Sequence, residues 1–150
     1  MNNPIAVIRD WAIAFLLAGA LILAPAALRA QEASDADRVA VQQTIGDQIA
    51  AFRAGDHDRA YSFAAASIKD TFRTVDAFIA MVRSGYMPLY APQSYSFGRS
   101  AAIGEAIHQE VFATDSGGRQ WQAVYTLRRD ENGAFKITGV KLNPWNGASA

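Results

Sequence analysis

From Ser94 onward the apolar residues change their period, and no other feature of the chain constrains its fold as strongly. Up to Gly85 they recur every three or four positions, so each segment carries one apolar stripe, as an amphipathic helix does. After Ser94 they alternate, so each segment carries one apolar face, as a half-buried strand does. The helical patterns all precede the strand patterns. That order disfavours interleaved strand–helix units and predicts an α+β domain, with three N-terminal helices packed on a curved, mostly antiparallel four-stranded sheet.

The first helical segment is "SDADRVAVQQTIGDQIAAFRAG". Ser34 with Asp37 forms a capping-box pattern, Asp standing in for Glu. Val41, Ile45, Ile49 and Phe52 make the stripe, and Gly55 lies just past the last apolar residue. Gly46 costs this helix about 1 kcal/mol relative to alanine without stopping it. The second segment, "DHDRAYSFAAASIKDTFR", puts Tyr61, Ala64, Ala65, Ile68 and Phe72 on one face. The third, "TVDAFIAMVRSG", is capped by Thr74, lined by Val75, Phe78, Ile79 and Val82, and closed by Gly85. "YMPLYAPQ", with two prolines and two tyrosines, reads as an aromatic loop. The strands are "SYSFG", "EAIHQEVFATD", "RQWQAVYTLRR" and "AFKITGVKL", joined by turns that include "DENG". Gly139 marks a bulge that moves the inward face from Phe135 and Ile137 to Val140 or Leu142. Residues 143–150 read as a loose tail in which Trp145 has the means to dock back.

Residues 1–30 stand apart. From residue 11 to 28 no side chain is charged, Arg9 precedes this run, Pro25 breaks it and small residues follow. That is the pattern of a secretory signal peptide cleaved after Ala30. An uncleaved anchor is the rival reading, because about 18 apolar residues is the lower limit for a spanning helix. Either way residues 31–142 form one domain outside the cytoplasm, with a bacterial periplasm the expected destination. Membrane association is expected only if the leader stays attached. The chain has no cysteine, so neither a disulfide nor a thiolate enters its chemistry. Formal charge is zero over the whole chain, and it stays near zero once the leader is removed, which argues against nucleic acid as a partner.

The segments from residue 39 to 142 resemble a bacterial family with no assigned function, the domain of unknown function 4864. The residues that carry the likeness are Phe72, Phe78, Met81-Val82, Tyr86, Tyr90-Ala91-Pro92, the run Trp121-x-Ala-Val-Tyr125, and the closing hairpin "NGAFKITGVKL". Phe135 stands where the family usually has tryptophan, and Val140 where it has cysteine; both changes keep a core character. The resemblance implies the cone of nuclear-transport-factor-2-like proteins, a shape shared with ketosteroid isomerases. It implies a fold and a secreted setting but no reaction.

Few residues advertise chemistry. His57 lies between Asp56 and Asp58, but neighbouring positions at a helix start diverge, so the triplet reads as an N-cap with first-turn acids. His108 and Glu110 share the polar face of a strand, which points to water unless that face lines the cone. Asp70 is acidic near the third helix, and Asp76 is in its first turn, where a carboxylate is favoured by the helix dipole. Tyr86, Tyr90, Tyr95, Trp121 and Tyr125 are the candidate pocket wall, with Tyr86 at the entrance. No nucleophile elbow, phosphate loop or metal motif is present, so neither catalytic residues nor a metal or cofactor is assigned. The expected function is binding of a small apolar ligand or a protein partner without chemistry. An isomerase- or hydrolase-like enzyme using Asp76, His108 or Glu110 in the same pocket is the alternative. A structural or assembly partner is a third reading, with a homodimer through the sheet's outer face.

Overall fold

The computed structural model describes residues 31–147. The leader proposed for residues 1–30 and the last three residues of the tail lie outside these. In chain order the described elements are β1 (Gln31–Glu32), α1 (Asp35–Ala54), α2 (His57–Ser62), α3 (Ala66–Thr71), α4 (Val75–Gly85) and α5 (Met87–Tyr90). The strands β2 (Ser94–Ile103), β3 (Ala106–Thr114), β4 (Gln120–Arg129) and β5 (Phe135–Pro144) follow. The sheet is an antiparallel meander in the order β1-β2-β3-β4-β5, with the helices on its inner face. Among the described residues no helix is long and apolar enough to cross a bilayer.

The helix α1 begins and ends as its sequence dictates. Ser34 accepts the Asp37 amide at 3.1 Å, and Gly55 takes φ 68°, the left-handed conformation that glycine adopts cheaply. Its stripe of Val41, Ile45 and Ile49 is buried against Val111, Ala123, Tyr125 and Leu127 of the sheet. Gly46 is less constrained than it looks. A Cβ there would meet the Tyr95 hydroxyl at 3.4 Å, an ordinary contact. Gly46→Ala is therefore expected to raise stability by up to about 1 kcal/mol, read as a higher urea midpoint. A lower midpoint would mean that Tyr95 cannot accept the added methyl.

Four differences from the sequence reading stand out. The second helix is two short ones, because Ala64 pairs in parallel with Ile137 on the free edge of β5. The Ala65 amide donates to the Ile137 carbonyl at 2.8 Å, and the Ile137 amide to the Phe63 carbonyl at 2.9 Å. Those edge bonds replace the helical bonds that residues 63–65 would otherwise make. The aromatic loop contains the single turn α5, since a proline is tolerated in a helix's first turn. The sheet has five strands rather than four, the fifth being the two-residue β1 paired with Ala101 and Ala102. Finally, Asn143 and Pro144 complete β5 rather than opening a tail. Trp145 docks beyond them, its amide donating to the Gln120 carbonyl and its ring lying 5.0 Å from Phe112.

Two bulges shape the sheet. In β5 the register skips Thr138, so the inward face passes from Phe135 and Ile137 to Val140 and Leu142. In β2 the skip falls between Phe97 and Ser100. There the fully buried Gln109 directs its side-chain amide at the carbonyls of Gly98, Arg99 and Glu110, while its oxygen accepts from Gln42.

Candidate functional site

The helix α1 packs on β3 and β5, α2 packs against both α1 and α4, and α3 lies against β5. The gap left between them is a cavity of about 340 Å³. Gln48 and Phe52 of α1, Ala64, Leu89, and Phe78 and Val82 of α4 form its buried part, closed by Tyr125 of β4 and Ile137 of β5. Ile68, Phe72, Met81, Tyr86 and the bulge residues Thr138 to Val140 are only half-buried and form the open side. The mouth therefore lies between α3, α4 and the edge of β5. Tyr86 bridges that side by donating its hydroxyl to the Val140 carbonyl at 3.2 Å.

The lining carries no formal charge: among the described residues no Asp, Glu, His, Lys or Arg borders the cavity. Its polar groups are Gln48, Tyr86, Tyr125, Thr138 and backbone. Gln48 donates to the Ala60 carbonyl at 3.1 Å, and Thr138 to the Thr126 carbonyl at 3.1 Å. Burial pushes the Tyr125 hydroxyl above the usual tyrosine range, and the nearby Tyr95 adds to the effect. An apolar cleft with a few placed hydrogen-bonding groups is the usual form of a small-molecule site.

The five aromatic candidates divide. Tyr86 and Tyr125 line the cavity, whereas Tyr90, Tyr95 and Trp121 stand outside it. Tyr90 is buried against Phe52, with its hydroxyl 3.0 Å from His57 Nε2 and accepting from Arg83 at 3.1 Å. Tyr95 packs edge-on against Phe97, with the Arg53 guanidinium 5.7 Å from its ring. Trp121 lies at the start of β4 and donates its indole N–H to Asp115 of the β3–β4 turn at 2.9 Å. That bond and the Arg119 and Gly117 amides hold the Asp115 carboxyl below its usual range.

The acid/base candidates also lie elsewhere. Asp76 is exposed in the first turn of α4. His108 and Glu110 are on the outer face of β3, where His108 Nδ1 lies 3.2 Å from the Thr126 hydroxyl. The Arg99 guanidinium and amide hold the Glu110 carboxyl low. Asp56 caps α2 by accepting the Arg59 amide at 3.1 Å, and among the described residues no group of three His, Asp or Glu gathers for a metal. The reading by residue type missed the cavity's helix-borne wall, Phe72, Phe78, Met81 and Val82. The signal lay in the helical stripes that put Phe72 on the second apolar face and Phe78 and Val82 on the third.

The model of the domain of unknown function DUF4864 matches residues 34–150. The chain belongs to the DUF4864 family. This DUF4864 chain is also similar to the crystal structure of an NTF-2 like protein of unknown function from Silicibacter pomeroyi DSS-3. The two share 16% sequence identity with a TM-score of 0.51, over 74% of this chain and 99% of the other. At that identity the likeness shows the fold, an NTF2-like α+β architecture, and nothing of activity. No curated protein is detectably similar to this DUF4864 chain.

Proposed function

We propose that the domain holds a small, uncharged, mainly hydrocarbon molecule in the cavity between its helices and β4–β5, without transforming it. The observation that carries this reading is the lining itself, mostly apolar side chains around about 340 Å³ with no Asp, Glu, His, Lys or Arg among them. Burying a charge there would lack any compensating partner. The enzyme alternative needs Asp76, His108 or Glu110 inside the cavity, and all three side chains are elsewhere. The leader-like pattern of residues 1–30 supports export, so the molecule would be met outside the cytoplasm.

Titration with N-phenyl-1-naphthylamine, a neutral dye whose fluorescence rises on burial, tests the reading. Saturable one-site binding is expected, with an affinity flat from about pH 5 to about pH 9, since the lining holds no carboxylate, imidazole or amine. Dye fluorescence that rises without saturating would remove the pocket.

A further inference from the structure

The core of the domain is in two parts, and the cavity is the seam between them. One part joins α1 and Leu89 to the sheet, through Ile45, Ile49, Val111, Tyr125 and Leu127. The other joins Phe78, Ile79 and Val82 of α4 to Phe52, Ala60 and Tyr90, and no strand residue belongs to it. Beside β5 the seam is fastened in two different ways. On the α3 side the fastening is backbone, the Ala65 amide donating to Ile137 at 2.8 Å and the Ile137 amide to Phe63 at 2.9 Å. On the α4 side it is a side chain, the Tyr86 hydroxyl donating to the Val140 carbonyl at 3.2 Å. Among the described residues that is the one hydrogen bond joining residues 75–90 to the sheet. Tyr86 is half-buried, borders the cavity and packs against both parts of the core.

We infer that the Tyr86 side chain is a gate: its ring closes the mouth while its hydroxyl holds Val140, and swings aside when that bond breaks. The inference rests on the cavity being a ligand site and adds to it the route in and out. Opening needs no helix to move, since side-chain rotation alone takes the hydroxyl off the carbonyl. A hydrogen bond at a half-buried position exchanges for one to water at small net cost, so the closed form is favoured only modestly. The last strand of the sheet is β5, so no further strand stands beside Val140 to block the turn. Entry and exit both pass through the open form, and both rates therefore scale with its population.

Stopped-flow mixing with N-phenyl-1-naphthylamine reads both rates in the wild-type chain, in Tyr86→Phe and in Tyr61→Phe. Tyr86→Phe keeps the ring and loses only the hydroxyl, so it folds, as circular dichroism will show. Tyr61→Phe removes a bond of the same kind, from the Tyr61 hydroxyl to the Phe72 carbonyl, that does not reach the sheet. Association is expected to be about threefold faster in Tyr86→Phe, with dissociation accelerated at least as much, and to match the wild type in Tyr61→Phe. A hydroxyl that merely touched the bound dye would speed dissociation and leave association alone; that outcome overturns the gate. Equal acceleration in both variants also overturns it, because general loosening then explains the rates. Unchanged rates with saturable binding remove the gate and leave the pocket reading standing. If the dye does not saturate even the wild-type chain, the pocket reading falls and this inference with it.

Discussion

Gln109→Leu is expected to destabilise the domain by about 3 kcal/mol, the largest loss from any single polar substitution in the sheet. Leucine fits the volume and sits on the apolar face shared by Ile107 and Val111, so a packing argument alone would predict little change. The cost comes from the bulge of β2. One side-chain nitrogen of Gln109 faces three carbonyls, those of Gly98 at 3.1 Å, Arg99 at 3.2 Å and Glu110 at 2.8 Å. Removing it strands acceptors that the skipped register cannot return to the ladder. Each unmet buried group costs roughly 1–3 kcal/mol, discounted here because Arg99 lies near water. The Gln42 amide, 3.2 Å from the Gln109 oxygen, also loses its acceptor. Gln42→Leu removes only that last bond and should cost about 1 kcal/mol. Urea titrations of both variants give the comparison; similar small losses would mean that water satisfies the bulge. For a domain of ordinary stability, 3 kcal/mol is a large fraction of the whole.

Gln109 also shows how far the sequence could be read. Its strand and its inward direction follow from the alternation around it. Its task does not, because the bulge it serves lies in the neighbouring strand β2 and leaves no local mark beyond Gly98. The same division runs through the molecule. Caps at Ser34, Asp56 and Thr74 and the stop at Gly55 are short-range chemistry, and each was legible within four residues. The rephasing of β5 was legible too, since Val140 and Leu142 could be inward only if one residue was skipped. The break after Ser62 was not, because an alanine-rich segment prefers helix and its competitor is an edge strand some seventy residues on. The strand β1 is two polar residues long and has no period to detect.

The cavity illustrates the harder limit. Aromatic type pointed to five residues, but a wall is set by where elements diverge, which no single-strand pattern encodes. Tyr125 lines the cavity because it lies inward at the centre of β4, and Tyr86 because it joins α4 to α5 beside the β5 bulge. Trp121 shares the inward side of Tyr125 yet lies at the end of its strand, in an open groove with Met87, Pro88 and Leu142. Tyr90 and Tyr95 are covered by α1 and its neighbours rather than by the space beyond them.

Met81→Trp is expected to weaken N-phenyl-1-naphthylamine binding by at least about tenfold while changing stability by no more than about 1 kcal/mol. Met81 lies on the half-buried side of the cavity, on α4 opposite the β5 bulge, so an indole placed there enters existing space instead of displacing packed neighbours. Overpacking a filled core costs about 1–3 kcal/mol, and the free volume is what should spare this variant that penalty. Stability and binding therefore move independently only if the space is real and is where the dye sits. Val39→Trp supplies the comparison, since Val39 is 63% exposed on α1 and does not border the cavity. Its dye binding should match the wild type. Equal loss in both variants would assign the dye to surface patches, and retained binding in Met81→Trp would move the site away from the mouth between α3, α4 and β5. A large fall in the urea midpoint of Met81→Trp would instead mean that the helices close over this space in solution, leaving the DUF4864 domain with a filled core there and no cavity for a ligand to enter.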